Sequence, residues 1–510
     1  MASATDDMRC IPLGPLDHIA PCNIPQSIIY LGLKKGTDPK DTFSCLTEGL
    51  RRTIIQAPWL NGRVYLQSPN SPGWRPGQLE MRYKSTKNDD GCPQNFQIPL
   101  HFNELPNLTS FDELREAGFP LDAYDDKALL RTLPFNIDFD LGVDVLTAQA
   151  NFVPGGCLLV LSIAPPVADG TAMLSVTKIW AEHCNGLSND CNDKTTNGSL
   201  AKFPLTSESI DRGALDTIMA QAVDSFKSFD GVDKSPALDL RRLVGIDEFR
   251  VSSENEAQLG TGHENRQLSH MKPSLFYMPQ PIYAGLRQEL ASTEGGVHIS
   301  GNDVICAFIW KSVLRAWTAV RARRGEVPDE TATLAIPFDA RPHLSHLQPA
   351  NYLGNFNFEQ ITTLPLRTLT SPETSVPLVA SMIHMSAKKQ TKEEKLLEAY
   401  SQLRSVPEYD SRHVQIRASR LSTKSPAVGI FSPMVLPFNG TFFGDHLFTN
   451  SGMPEAFRPM MGTCNREYRT CFVIPRKQHG GLEFVMTLSE EERDFLQDDH
   501  EFNQYACFIT

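Results

Sequence analysis

The twenty residues from Val145 to Ala164, "VLTAQANFVPGGCLLVLSIA", constrain the fold more than any other stretch of the chain. Two apolar runs flank Pro154-Gly155-Gly156, which predicts two core strands joined as a hairpin with a loop long enough to hold a bulge. The second strand leads straight into "PPVADG", Pro165 to Gly170. After Gly170 the period changes, because Met173, Val176, Ile179 and Trp180 recur at helical spacing. Asp169 is therefore expected at or just before a helix N-terminus, where the helix dipole favours a carboxylate.

Strand and helix signals alternate on both sides of this stretch. "DPKDTFSCLTEGLRRTIIQAP", from Asp38, sets Phe43, Leu46, Leu50 and Ile54 on one helical face, opens with Asp-Pro and is stopped by Pro58. "WLNGRVYL" then reads as a short strand with Asn61-Gly62 as its turn signal. Between about Cys184 and His270 the composition shifts to Asn, Asp, Ser, Thr and Gly, with some helix around "ALDTIMAQAVDSF", which predicts an interdomain linker. A second ordered region follows: a helix capped at Ser300, the strand "TLAIPFDARP", the amphipathic helix "EEKLLEAYSQLRSV", two strands in "CFVIPRK" and "LEFVMTL", and an acidic helix. This pattern predicts two α/β domains of similar size, over residues 1–205 and 271–510, with a crossover at 206–270.

Several function classes are disfavoured. With 48 basic and 60 acidic side chains the net charge is -12, and there is no long basic run to follow a phosphate backbone, so nucleic acid is not an expected partner. The first residues, "MASATDDMRCIPLGPLD", carry no apolar secretory segment and no run is long enough to span a bilayer, which predicts a cytoplasmic protein without membrane association. Eleven cysteines without C-x-x-C spacing read as reduced thiols filling core space, so no metal is expected and the sequons at Asn107, Asn197 and Asn439 are expected to be idle. No GxGxxG, P-loop, HExxH or GxSxG motif is present.

A resemblance emerges from features taken in order along some 490 residues. "LGPLDH", "LTEGLRRTIIQAPWLNGRV", "ISGNDVICAFIWKSVLRA" and "PFDARPHLSHLQPANYLGN", with Asp339, Arg341, Tyr352, Gly354 and Asn355, are followed by "GGLEFVMTLSEEERDFLQDDHEF". In this order they resemble the BAHD family of CoA-dependent acyltransferases, and within it the fungal branch that includes trichothecene acetyltransferases. The resemblance implies two chloramphenicol-acetyltransferase-like domains of mixed sheets flanked by helices, with a channel between them. It also implies a monomer that uses acyl-CoA as cosubstrate, binds no covalent cofactor, and acylates an oxygen or nitrogen of a small natural product.

The two defining motifs of that family are altered. Where it has HxxxDG, Asp169 and Gly170 stand but Pro165 occupies the histidine position; where it has DFGWG, "FFGDH" keeps Phe443 and Gly444. The resemblance implies that Asp169 pairs with Arg341, and that Pro165, Pro166, Phe443 and His446 line or border the channel. Proline has no titratable group, and its nitrogen carries no hydrogen. A general base is worth roughly 10²–10⁴ in rate. The replacement base is unidentified, with His446, His298, His343 and His346 as weak candidates and Ser162 and Thr171 as hydrogen-bond donors. Three readings stay open: an acyltransferase that manages without the histidine; a channel turned to cyclisation (including pericyclic), isomerisation or dehydration; or a non-catalytic binding protein.

Overall fold

The computed structural model describes residues 8–19, 26–84, 96–124, 126–129, 138–189, 207–229, 271–291, 299–326, 330–409, 425–435, 440–460, 469–474 and 480–510. Three sheets organise them. A five-stranded sheet runs in the order Ala456–Met460, Gln26–Gly32, Gly156–Ile163, Leu146–Val153, Leu100–Glu104. A seven-stranded sheet runs Asn357–Pro365, Thr331–Asp339, Ala427–Phe431, Thr470–Val473, Leu482–Leu488, Lys272–Met278, Cys507–Phe508. The third has four short strands, Met8–Pro12, Leu79–Lys84, Arg63–Leu66 and Val143–Asp144. Parallel and antiparallel pairs mix in both larger sheets.

The hairpin expected from Val145 to Ala164 is present, with every residue of Gly156–Ile163 buried. Its loop differs from the expectation. Val153 pairs directly with Gly156, so Pro154 and Gly155 alone make the turn and no bulge is needed. Proline fixes the first position and Gly155, at φ 81°, supplies the left-handed second one.

Helix Pro39–Gln56 starts where Asp38 accepts a hydrogen bond from the Lys40 amide at 2.8 Å, and it buries Leu46, Leu50 and Ile54. Pro58–Asn61 forms a 3-10 turn, so the strand expected in "WLNGRVYL" is limited to Arg63–Leu66. Helix Gly170–Asn189 packs against Pro39–Gln56 across Gly49, and the Trp180 indole N–H donates to the Leu46 carbonyl at 2.8 Å. This contact fixes the helix that follows the altered motif.

In the other half, helix Gly301–Arg323 opens with a capping box between Ser300 and Asp303 and buries Trp310, Phe308 and Ile309 against the seven-stranded sheet. Ser489 and Glu492 repeat the device at helix Glu490–Asp498. The chain crosses between the halves at Ala456–Met460, which pairs with Gln26–Gly32 from the opposite end of the sequence. Of the expected 206–270 crossover, Arg212–Phe229 is helical, and 230–270 lies outside the described residues. Among the described residues, Cys157, Cys184, Cys306 and Cys471 are buried, no helix is long and apolar enough to cross a membrane, and no cluster of three or more His, Cys, Asp or Glu could hold a metal.

The helix contact at Gly49 yields a test. A Cβ there would meet the Cys184 sulfur at 2.3 Å. Gly49→Ala is expected to lower stability by about 1–3 kcal/mol through overpacking. Adding Cys184→Ala is expected to restore part of the loss, read as a positive coupling in denaturant unfolding of the two single variants and the double variant.

Candidate active site

The altered motif is a buried turn between a core strand and a helix. Beyond Ile163, the Ala164 amide donates to the Val145 carbonyl at 2.8 Å, and the Val167 amide donates back to the Ala164 carbonyl at 2.8 Å. Pro165 and Pro166 are both buried. Asp169 caps the helix through one oxygen, which accepts the Ala172 amide at 3.1 Å. Its other oxygen accepts the Phe356 amide at 3.0 Å and the Arg341 guanidinium at 2.9 Å. The carboxylate thus ties the turn to a loop some 185 residues further along the chain.

Arg341 is the centre of that loop. Its Nε donates to the Tyr352 carbonyl at 3.0 Å, one terminal nitrogen to the Gly354 carbonyl at 2.6 Å, and the other to Asp339 at 2.9 Å. Asp339 accepts the Thr171 hydroxyl at 2.9 Å through its second oxygen, a second bond between the helix start and the loop. Burial works against the Arg341 charge, but Asp169 and Asp339 outweigh it, and the guanidinium pKa is raised. Glycine is required at 354, where a Cβ would meet the Tyr352 hydroxyl at 2.2 Å.

A second network holds the back of the turn. Asn355 donates to the Pro165 carbonyl at 2.7 Å and to Asp17 at 2.9 Å. The other oxygen of Asp17 accepts Arg212 Nε at 3.2 Å and the Gly14 amide at 2.7 Å. Arg212 also reaches the carbonyls of Val167 and Ile210. Although Arg212 is fully desolvated, Asp17 and further groups raise its pKa. Every polar atom that Pro165, Val167 and Asp169 present, apart from the Asp169 backbone amide, is therefore engaged.

Beside this network, His18 donates or accepts at both ring nitrogens, with the Gly14 carbonyl at 2.8 Å from Nδ1 and the Leu79 amide donating to Nε2 at 3.0 Å. That pairing defines a neutral imidazole with its proton on Nδ1. Burial lowers its pKa, and its ring stacks on Tyr409 at 3.9 Å between centroids. With both nitrogens committed, His18 has no lone pair to offer a substrate.

The candidate histidines are dispersed. His343 is exposed on the turn after Arg341, with its ring edge against Phe338 and its pKa lowered by burial against the opposing pull of Asp339. His346 is exposed and faces Glu393 at 3.4 Å. His298 lies outside the described residues. His446 is exposed in a segment where Leu33 bridges Phe448 and the Lys34 amide donates to the Leu447 carbonyl, at the hairpin-turn end of the sheet. Pro165 follows the opposite end of Gly156–Ile163, about 25 Å away at ~3.3 Å per strand residue. His446 and Phe443 are therefore not brought to the turn that holds Pro165. Phe443 is fully buried and packs on Trp180 and Phe448, while Gly444, at φ 106°, sits against Gly452. Ser162 is buried in the strand.

Sequence reasoning did not give Asp17 or Arg212 a role. Asp17 stood within "LGPLDH" with no partner visible, and Arg212 falls in a segment whose composition reads as linker. Pairing across 195 residues leaves no local signal in either segment.

Comparison with known proteins identifies the family and the fold. The profile described as "Transferase family" matches residues 124–503, and one described as "Trichothecene 3-O-acetyltransferase-like N-terminal domain" matches residues 26–184. Eremophilane O-acetyltransferase prx11 of Penicillium rubens is 22% identical, over 91% of this chain and 92% of its own length. The isocyanide synthase-NRPS hybrid crmA of Aspergillus fumigatus is 26% identical over 98% of this chain, which spans 31% of that relative's length. Among solved structures, TRI101 of F. graminearum, complexed with ethyl coenzyme A, superposes with a TM-score of 0.72 at 16% identity, covering 99% of this chain and all of that one. Vinorine synthase matches with a TM-score of 0.54 at 14% identity, over 97% and 92% of the two chains. The fold is thus the mixed α/β BAHD type.

Two outcomes are expected from the site's electrostatics. Asp169→Asn keeps an oxygen for the helix cap but leaves Arg341 with one fewer counter-charge, and a denaturant titration is expected to show a loss of about 3–5 kcal/mol. For His18, burial holds the folded-state pKa below the ordinary value of about 6.5, so the unfolded chain binds more protons as the solution is acidified. Stability is expected to fall below about pH 6.5, by at most about 1.4 kcal/mol per pH unit from this group. His18→Gln is expected to flatten that slope in melts taken between pH 7 and 5.

Proposed function

The chain belongs to the transferase family, and we propose that within it the protein is an acyltransferase of fungal specialised metabolism that uses acyl-CoA and lacks the family's histidine base. The observation that carries this reading is the turn at Pro165. Asp169–Arg341 on one side and Asp17–Asn355–Arg212 on the other fix its backbone, although the residue at the base position cannot titrate. A scaffold kept rigid around an absent base supports a reaction that depends on placement. Holding two partners in line can supply a large share of an acyl-transfer barrier, roughly 7–11 kcal/mol in well-oriented cases.

In this reading residues 1–205 and 271–510 are the two halves between which a CoA thioester and a small natural product meet, and 206–270 crosses between them. Asp169 and Arg341 keep the halves in register. Pro165 and Pro166 shape the wall of the channel. The protein works as a cytoplasmic monomer. The eremophilane O-acetyltransferase among the relatives and the coenzyme A complexes among the structural neighbours support the donor and the substrate class.

The test is calorimetric titration with acetyl-CoA and with free CoA, which needs no knowledge of the acceptor. Saturable binding of both is expected. Absence of binding up to millimolar concentration would contradict acyl transfer and favour a channel turned to cyclisation, isomerisation or dehydration.

A further inference from the structure

We infer that Cys45 and Cys184 form a modification site, a dithiol that a peroxide oxidises to a disulfide, stapling helix Pro39–Gln56 to helix Gly170–Asn189. The inference is independent of the acyl-transfer reading and of the proline turn. Its ground is the place where the two helices pack. A Cβ at Gly49 would meet the Cys184 sulfur at 2.3 Å and the Cys184 amide nitrogen at 3.2 Å, so the bare glycine is what lets the backbones approach. Cys45 lies one turn before Gly49 on the same helical face. Its sulfur is 3.9 Å from the Cys184 carbonyl oxygen, and the Cys184 sulfur is 3.7 Å from the Cys45 carbonyl oxygen. Each thiol therefore reaches the backbone of the other residue, and the two also hydrogen-bond to each other. A disulfide requires two cysteines whose side chains converge, and this contact makes them do so.

The two thiols differ in the way that such chemistry needs. Cys45 is partly exposed, whereas Cys184 is fully buried. The hydrogen bond with Cys184 lowers the Cys45 pKa, and the nearby Arg52 guanidinium adds to that effect against the opposing pull of burial. Burial raises the Cys184 pKa. Thiolate character and access decide which cysteine an oxidant meets first, so Cys45 attacks and Cys184 stands behind it as the resolving thiol. Cys157, Cys306 and Cys471 are different, since each is sealed in the core with its pKa raised by burial.

The chemistry balances with hydrogen peroxide as the one co-reactant. The Cys45 thiolate forms an S–O bond as the O–O bond breaks, giving a sulfenic acid and a hydroxide that takes a proton to become water. Cys184 then loses its proton and its sulfur attacks the Cys45 sulfur. The S–S bond forms, the S–O bond breaks, and a second water leaves. Two thiols are oxidised while one peroxide is reduced to two waters.

The product closes a loop across a separation of 139 residues, which takes freedom from the unfolded chain. It also braces the helix whose first turn Asp169 caps through the Ala172 amide. The protein thereby becomes harder to unfold under the conditions that would otherwise damage an exposed thiol.

The experiment treats the reduced full-length protein with hydrogen peroxide up to millimolar concentration, blocks the remaining thiols and maps the disulfides by mass spectrometry of peptides. A Cys45–Cys184 peptide, lighter by two hydrogens and restored by dithiothreitol, is expected to form at least about tenfold faster than any oxidation of Cys157, Cys306 or Cys471. The oxidised protein is expected to melt at least about 2 °C higher than the reduced one. In Cys184→Ser, which keeps a hydrogen-bond donor beside Cys45 but cannot form the bond, dimedone is expected to trap Cys45 sulfenic acid about tenfold more than in the native protein. Cys184→Ala serves the same purpose if the serine variant does not fold, and the mapping of the native protein needs neither. Absence of the Cys45–Cys184 peptide, preferential bonding of Cys45 to another cysteine, or equal dimedone labelling with and without Cys184 would overturn the inference. A melting point unchanged or lowered by the disulfide would overturn its role as a staple.

Discussion

The ion pair between Asp169 and Arg341 is the interaction on which the site depends. One carboxylate caps a twenty-residue helix, accepts a backbone amide at Phe356 and neutralises a guanidinium that in turn holds two carbonyls of the Tyr352–Gly354 segment. Removing the Arg341 charge would strand Asp169 in a desolvated place, and removing Asp169 would leave Arg341 with Asp339 as its counter-charge, a cost incurred even where the intact pair adds little net stability. What the pair supplies is registry. It fixes where the end of strand Gly156–Ile163 meets the loop after strand Thr331–Asp339, and hence where anything held between them would lie.

Around that fixed point the protein has built a second lock with Asp17 as its hub. Asn355 and Arg212 lie on separate segments, yet both end on Asp17 and both hold carbonyls of the proline turn. Two consecutive prolines restrict the backbone at two φ angles and supply no amide hydrogen, so carbonyls are the handles left for positioning. The Pro165 and Val167 carbonyls are used in this way.

Much of this was legible in the sequence, and the limits are physical. The hairpin, the helix after Gly170 and the cap at Ser300 follow from local periodicity and short-range hydrogen bonds, and local pattern carries such information. The expected bulge was wrong because the apolar runs do not reveal that Val153 pairs directly with Gly156. Asp169 and Arg341 could be proposed as partners from the resemblance. Asp17 and Arg212 could not, because their pairing spans 195 residues and each sits in an unremarkable local context. His446 was drawn toward the site by its place in a motif, and sheet topology sets it at the far end of a strand.

The central claim is that this turn carries no base and that the rest of the site works without one. Its most direct test is the hydrolysis of bound acetyl-CoA, followed as thiol release, in the native protein and in Pro165→His, with water standing in for a hydroxyl acceptor. The account predicts hydrolysis near the uncatalysed rate in the native protein and a gain of about 10²–10⁴ in the variant, as an imidazole is restored beside an intact scaffold. Rapid hydrolysis by the native protein that Pro165→His leaves unchanged would contradict it, since a base would then already be at work.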